Sequence, residues 1–277
     1  MLARRTLLLA LAAPPATPIL DTHVHFYDPS RPQGVPWPPA SDSLLHRPVL
    51  PPEFQTLAHP LGVSSAIVVE ASSWLDDNSW ILDLARRHPL IRGLVGRLQP
   101  GLPAFPQQLA RFQSNPLFLG IRINVQTLNQ NLRNPVFLDH LRRLAAANLA
   151  LDLLGGPPLI ESAARLHDAI PSLRLVLDHL PFEKDTPLHP LKDRPNVYAK
   201  LSNFWNEPRW SESAQRVFEN FSEDRLLYGS NWPVSLRQGP YAQNLARAQS
   251  FFQQKSPAAA RKYFHDNSRA AYRWPDQ

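Results

Sequence analysis

The chain has 277 residues, 43% of them hydrophobic, which is enough to bury the core of one large α/β domain or two small ones. The absence of cysteine excludes thiol nucleophiles, Cys-ligated zinc, iron–sulfur clusters and disulfides. The formal charge of +6 is spread over single and paired arginines without a basic run, so the sequence predicts no nucleic-acid partner and favours a small anionic substrate.

The first 16 residues, MLARRTLLLALAAPPA, place Arg4 and Arg5 before an apolar run at residues 7–13 and a small-residue exit. This pattern resembles an export signal of the twin-arginine type, so we expect a periplasmic or secreted protein; a disordered N-terminus on a cytoplasmic protein is the alternative. We therefore set residues 1–18 apart from a single domain over residues 19–277. No later stretch reaches the roughly 18 apolar residues that a membrane span needs.

Eight short apolar runs of strand type follow, beginning with ILDTHVHF at residue 19. Helical patterns with apolar residues at i, i+3 and i+4 separate most of them, at residues 78–88, 136–148, 159–170, 213–221 and 241–254. From the second run onwards the starts are 22 to 31 residues apart, about one βα unit. Eight such units predict a (β/α)8 TIM barrel. A doubly wound sheet is the alternative, but neither G-x-G-x-x-G nor G-x-x-x-x-G-K-[ST] occurs.

The connection between the first two runs is the exception, because their starts lie 47 residues apart. It contains the Pro-rich segment PSRPQGVPWPPASDSLLHRP, in which proline fixes the backbone and stiffens the loop. We expect this segment to extend over the barrel mouth, the end at which the strands have their carboxyl termini.

The first run carries polar residues at every second position. Asp21, His23 and His25 share one face of this strand, and apolar residues occupy most of the other. The apolar face suits packing against helices, so the sequence predicts that all three polar side chains look into the barrel. Buried imidazoles there could bind a metal ion or transfer protons.

Other predicted strands end in polar residues too, and in a TIM barrel the catalytic groups come from these ends. A satisfied polar residue that caps a strand is the plain alternative for each of them. Neither G-x-S-x-G nor H-E-x-x-H occurs, which argues against a serine hydrolase elbow and the common metalloprotease motif. The residues at these ends are Glu70, Arg122, Asp152, Asp178, His179, Lys200, Ser202, Ser230 and Asn231.

Five motifs, ILDTHVHFYDP, FLGIRINVQ, LVLDHL, NVYAKLS and RLLYGSNWPVS, occur in this order. With them the chain, from about residue 19 to the C-terminal YFHDNSRAAYRW, resembles the amidohydrolase-related family of TIM-barrel hydrolases. The similarity is to the branch that contains sugar lactonases and pyrone-dicarboxylate lactonase. It implies hydrolysis of a cyclic ester, the lactone of a sugar acid or a related carboxylated molecule, at the barrel mouth.

The resemblance also assigns roles to residues. His23 and His25 match the histidine pair of the family's first strand, and His179 matches the histidine of its sixth strand. Together these three residues could hold one divalent metal, such as zinc, or act without a metal. Arg122 matches an arginine that can hold an anionic group with its forked guanidinium, and Lys200 falls on a segment that could reach the same pocket.

This chain departs from the family pattern at two positions. Binuclear members have a metal-bridging lysine where this chain has Arg122, so at most one metal is expected. Many members end the last strand in GSDWP, whose aspartate takes a proton from water, whereas this chain has Asn231. An amide cannot accept that proton, which leaves a histidine base, a metal-bound hydroxide or an inactive barrel.

The sequence therefore predicts a lactonase that acts on a small anionic lactone, with homo-oligomers an open possibility. A metal-dependent decarboxylase of an unsaturated or aromatic acid is one alternative, and a catalytically silent barrel that binds a small acid is the other. The predicted catalytic residues are His23, His25, His179 and Asn231; the predicted substrate-binding residues are Glu70, Arg122, Asp152 and Lys200.

Overall fold

The structure, a computed structural model, describes residues 18–180 and 185–275, so the predicted export signal lies outside the described residues apart from residue 18. Eight parallel strands form one sheet in the order in which they occur along the chain, which confirms the predicted TIM barrel. Each of the eight apolar runs in the sequence corresponds to one of these strands. The strands are β1 (Ile19–Val24), β2 (Val63–Val69), β3 (Ile91–Gly96), β4 (Phe118–Asn124), β5 (Ala150–Leu154), β6 (Leu175–Leu180), β7 (Val197–Leu201) and β8 (Leu226–Tyr228).

The barrel closes where β8 runs alongside β1. The N–H of Asn231 donates to the His23 carbonyl at 2.9 Å, and the N–H of His25 donates to the Trp232 carbonyl at 2.9 Å. The Thr22 hydroxyl adds a hydrogen bond of 2.6 Å to the Tyr228 carbonyl. Backbone bonds between these two segments therefore place residues 23, 25 and 231 at the mouth as neighbours.

Helices pack around the barrel, and the five predicted helical patterns each coincide with one of them. The unpredicted helices are short, and several begin with a proline in the first turn, which a helix tolerates there because that N–H has no partner in the helix. The helices are α1 (Pro51–Ala58), α2 (Asp77–Arg87), α3 (Phe105–Phe112), α4 (Val125–Asn131), α5 (Pro135–Ala146), α6 (Leu159–Ala169), α7 (Trp210–Phe221), α8 (Tyr241–Lys255), α9 (Pro257–Arg261) and α10 (Asn267–Tyr272). Among the described residues no helix is both long and apolar enough to cross a membrane.

Two apolar cores hold the barrel together. The larger one lies between the strands and the outer helices. The smaller one fills the barrel interior with inward-facing strand residues, and Tyr272 and Trp274 belong to it. Arg174, just before β6, donates to the Ala271 carbonyl at 2.7 Å and so ties α10 to the amino-terminal end of the strands. The segment around α10 therefore forms the floor of the barrel.

Asp21 does not look into the barrel, contrary to the sequence prediction. Its carboxylate accepts the backbone N–H of Ser230 at 2.8 Å and of His23 at 3.1 Å, and it also accepts the Tyr241 hydroxyl of α8 at 3.0 Å. The pairing of β1 with β2 shifts register between Asp21 and Val24, which breaks the alternation that the prediction assumed. Asp21 thus joins β1, β8 and α8.

Burial raises the pKa of Asp21 from its ordinary 3.8 to about 6, although the hydrogen bonds from Ser230, His23 and Tyr241 act against it. The folded chain therefore binds this proton more tightly than the unfolded chain. The resulting stabilisation, about 3 kcal/mol, is complete below about pH 4 and is lost as the pH rises through about 6. We expect Asp21→Asn, measured by urea unfolding, to gain about that amount relative to the wild type between pH 4 and pH 7. A difference that is constant with pH, as expected for the exposed Asp83→Asn control, would contradict this account.

The Pro-rich segment reaches the mouth, as predicted. Tyr27 and Val49 pair at its two ends. Arg31 joins it to Asp77 of α2 at 2.9 Å, and Arg237 bonds Asp42 from the far side. The ring of Trp37 then lies 6.0 Å from that of His25. Trp37 was not among the predicted site residues, because nothing but its place in a proline-rich stretch distinguished it.

Candidate active site

Three imidazoles meet at the barrel mouth. The ring of His23 lies 4.9 Å from the ring of His25 and 4.6 Å from that of His179. His23 and His25 are buried, and His179 is half-buried. Burial lowers the pKa of His25 to about 3 and that of His179 to about 4, and it holds the pKa of His23 well below its ordinary 6.5. All three rings are therefore neutral at pH 7, the form that binds metals or exchanges hydrogen bonds.

His25 is oriented by a backbone group. Its Nδ1 lies 2.9 Å from the Val69 carbonyl, which can only accept, so the ring proton is on Nδ1 and Nε2 carries the lone pair. Nε2 faces the side-chain amide of Asn231, with Oδ1 at 3.1 Å. In this tautomer both of these atoms are acceptors, so they do not share a proton, and the amide keeps its Nδ2 on Asn203 Oδ1 at 3.1 Å. His25 thus presents a bare nitrogen held beside Asn231.

Three residues at the ends of neighbouring strands have left-handed backbones: His179 is the last but one residue of β6, Asn203 follows β7 and Asn231 follows β8, with φ of 63°, 64° and 58°. Histidine and asparagine are among the side chains that tolerate this region, at a cost of roughly 1 kcal/mol or more each. Asn231 Nδ2 lies 3.1 Å from Asn203 Oδ1. Strain of this kind collects at functional sites, and Asn203, next to the predicted Ser202, was missed by the sequence reasoning.

A buried ion cluster lies beneath the imidazoles. Lys200 Nζ is 2.6 Å from Asp152 Oδ2 and 3.1 Å from Asp178 Oδ1, and the Tyr272 hydroxyl donates to Asp152 at 2.9 Å. Burial alone would raise the pKa of Asp178, but the Lys200 ammonium and the His23 ring hold it well below its ordinary 3.8. Lys200 and Asp152 have no exposed surface, so they lie below the pocket wall. Their predicted role in substrate binding stays a prediction.

Arg122 and Glu70 form the polar wall of the mouth. Arg122 Nε donates to Glu70 Oε1 at 3.1 Å, Nη2 donates to the Glu70 carbonyl at 2.6 Å, and Nη1 lies 3.6 Å from Asp178 Oδ2. Arg97 approaches the same Glu70 oxygen at 3.8 Å. Glu70 also lines a pocket under the Pro-rich loop together with Trp37 and Trp80. Every cation of this wall therefore already has a carboxylate partner.

A metal ion would find ligands at the mouth. Ligand atoms of His23, Asp178 and His179 lie within 4.8 Å of one another. Two imidazoles and a carboxylate are ligand types of catalytic zinc sites, and His23 Nε2 is buried without a hydrogen-bond partner among the described residues. These residues fit a single metal. Asp178, which was not predicted as a ligand, belongs to this group, whereas His25 contacts Val69 and Asn231 and lies outside it; the predicted roles of His23, His25 and His179 as metal ligands stay predictions.

Neutral imidazoles and carboxylates gathered at the carboxyl ends of barrel strands define a hydrolase-type TIM barrel with room for one metal. The family model described as Amidohydrolase matches residues 20–274, and the chain belongs to that family. This confirms the resemblance seen in the sequence.

Individual proteins share sequence or fold with this chain. L-fucono-1,5-lactonase from Burkholderia ambifaria is 28% identical over 240 residues, which cover 80% of this chain and 82% of that protein. A zinc-bound amidohydrolase from Burkholderia multivorans shares the fold with a TM-score of 0.82 and 22% identity, covering 93% of this chain and 100% of that one. A probable 2-pyrone-4,6-dicarboxylic acid hydrolase from Acinetobacter baumannii, with citric acid bound, has a TM-score of 0.72 and 16% identity over 92% and 98% of the two chains.

Proposed function

We propose that the protein hydrolyses the 1,5- or 1,4-lactone of a sugar acid. The observation that carries the proposal is the pair of imidazole nitrogens at the mouth: His23 Nε2 has no hydrogen-bond partner among the described residues, and His25 Nε2 has a bare lone pair. One can donate to a carbonyl oxygen while the other takes a proton from water. The relatives named as lactonases support the same reaction.

The reaction needs a proton acceptor, a donor and a positioned water. His25 Nε2 takes a proton from water, which the neighbouring Asn231 amide orients, and the water oxygen attacks the ring carbonyl carbon. His23 Nε2–H donates to the carbonyl oxygen as negative charge develops there. The carbon–oxygen bond of the ring then breaks, and His25 returns the proton to the leaving ring oxygen. The product is a hydroxy acid.

Zinc is the metal that we propose for His23, Asp178 and His179 when the site is loaded. Bound zinc would polarise the carbonyl and lower the pKa of a coordinated water to about 7. His25 and Asn231 lie outside this ligand group. We therefore propose that His25 accepts the proton from water in the same way with or without the metal.

The substrate that we propose is an uncharged sugar lactone in preference to the anionic one that the net charge suggested. Three cations near the mouth, Arg97, Arg122 and Lys200, are paired with three carboxylates, Glu70, Asp152 and Asp178. A carboxylated lactone would have to displace one of these pairs. Among the described residues the second carboxylate oxygen of Glu70 has no hydrogen bond and could accept a sugar hydroxyl, and the indole of Trp37, whose ring lies 6.0 Å from that of His25, suits the apolar face of a sugar ring.

Acid release in weakly buffered indicator tests the proposal on a panel of neutral aldonolactones and carboxylated lactones. We expect turnover of neutral sugar lactones, with carboxylated ones slower. Carbon dioxide release from aromatic or unsaturated acids would favour the decarboxylase alternative. No hydrolysis anywhere in the panel, with or without added zinc, would favour a silent barrel.

Export remains our proposal as well, supported by Arg4 and Arg5 ahead of the apolar run. If the chain is processed, the N-terminus of the protein from the producing cell should begin near Thr17. A full-length cytoplasmic product would contradict export.

A further inference from the structure

The Lys200 ammonium lies directly under the residues that could hold a metal. Its Nζ is 2.6 Å from Asp152 Oδ2, 3.1 Å from Asp178 Oδ1 and 3.3 Å from His23 Nδ1. The side chain is fully buried. An ammonium has N–H donors and no acceptor; it donates here to Asp152 and His23 and forms an ion pair with Asp178.

The contact with His23 decides where that ring carries its proton. The ammonium can only donate, so its hydrogen bond to Nδ1 uses the lone pair of that nitrogen; Asp178 Oδ1 lies equally near, at 3.3 Å, but has no hydrogen-bond partner among the described residues. The ring is fully buried, and in its neutral form it then carries its single proton on Nε2. That is the atom without a partner among the described residues, and it becomes a donor aimed at the mouth.

Metal binding needs the opposite tautomer. A ring that ligates through Nε2 must carry its proton on Nδ1, where Asp178 Oδ1 at 3.3 Å is the available acceptor and the Lys200 N–H is an opposing donor. The positive charge of Lys200 also lies beside two of the three ligand residues and repels a dication.

We propose that Lys200 is a positioning residue that holds His23 in its Nε2–H tautomer and thereby weakens metal binding at the mouth. The chain itself stabilises a metal-free site whose donor is His23 Nε2–H. The donor role rests on the proposed function, whereas the effect on metal affinity does not and can be measured without substrate.

Zinc titration calorimetry on the metal-stripped protein tests the proposal. Lys200→Met alone would leave two buried carboxylates short of a partner, so the test variant is Lys200→Met/Asp152→Asn. Methionine fills the space of the lysine stem, the asparagine can still accept from Tyr272, and Asp178 keeps Arg122 at 3.6 Å. We expect the double variant to bind zinc about tenfold more tightly, or better, than the wild type.

Asp152→Asn is the matched control, because it removes the same carboxylate and keeps the ammonium. We expect no gain in zinc affinity from it. A double variant that binds zinc no more tightly than this control would overturn the proposal. If the double variant binds zinc more tightly but the wild type hydrolyses no lactone, the proposed function fails and the inference about Lys200 stands.

A second measurement covers the case in which the double variant does not fold. Two-bond ¹H–¹⁵N correlation spectra of the metal-stripped wild type separate protonated from bare ring nitrogens, and the His23 signals are assigned by their loss in His23→Gln. We expect a proton on Nε2 and a bare Nδ1. A proton on Nδ1 would overturn the proposal.

Discussion

His25→Asn is expected to lower kcat for sugar lactones by about 10²- to 10⁴-fold, the usual contribution of a positioned general base. The shorter amide can still donate to the Val69 carbonyl, as Nδ1–H does at 2.9 Å, but nothing replaces Nε2. Because Nε2 acts on water and not on the ground-state lactone, KM should change little. Steady-state acid release gives both constants.

A second buried histidine supplies the matched control. His140 of α5 accepts the Gly101 N–H at 2.9 Å and stacks on Phe105 in the outer layer. His140→Asn removes a ring of the same size outside the barrel interior, and we expect it to leave kcat within a small factor of the wild type. A loss below tenfold in His25→Asn, or a similar loss in both variants, would show that His25 is not the base.

Asn231→Asp is expected to raise kcat by about 10²-fold, the lower end of what a positioned base contributes. Burial lowers the pKa of His25 to about 3, which makes the wild-type base weak. A carboxylate at position 231, about where Oδ1 now lies 3.1 Å from His25 Nε2, would raise the pKa of that ring or take the proton itself. Aspartate also tolerates the left-handed backbone at this position, where φ is 58°. The rate should rise along an ascending pH limb set by the new carboxylate.

Asn203→Asp separates this effect from a general change in charge. Asn203 has the same left-handed backbone and lies against Asn231, yet among the described contacts it does not touch His25. It adds one negative charge to the same mouth, and we expect no rise in kcat from it. An equal gain in kcat in both variants, or a lower kcat in Asn231→Asp, would contradict the proposal that a carboxylate at position 231 assists proton abstraction.

The fold was within reach of sequence reasoning because local patterns determine it. Each strand is a short apolar run, and βα spacing then restricts the topology to a barrel. Helices α3 and α4 were not predicted, since eight and seven residues hold too few turns for a periodic pattern. Asp21 was misplaced because strict alternation was assumed, and a shift in strand pairing is not visible in one sequence.

The candidate site was only partly within reach. The type of residue at each strand end is written in the sequence, so His23, His179 and Asn231 could be named. The sequence does not show how deep along the barrel axis a side chain lies. Lys200 was therefore expected to line the substrate pocket, but its side chain is fully buried beneath the mouth. The partner of His25 could not be foreseen either, because the Val69 carbonyl is a backbone group with no sequence signature.

The barrel floor has a consequence for biosynthesis. All eight strands leave the ribosome before Tyr272 and Trp274, so a nascent barrel is open to water at its lower end. Until α10 docks, Asp152 lacks the hydroxyl that donates to it at 2.9 Å, and water can solvate its pair with Lys200. Docking of α10 removes that water and seals the charges in an apolar interior, where an unmatched charge would be far more costly than before. We therefore expect a newly made chain to keep a hydrated interior, in which these charged side chains can still rearrange, until α10 docks.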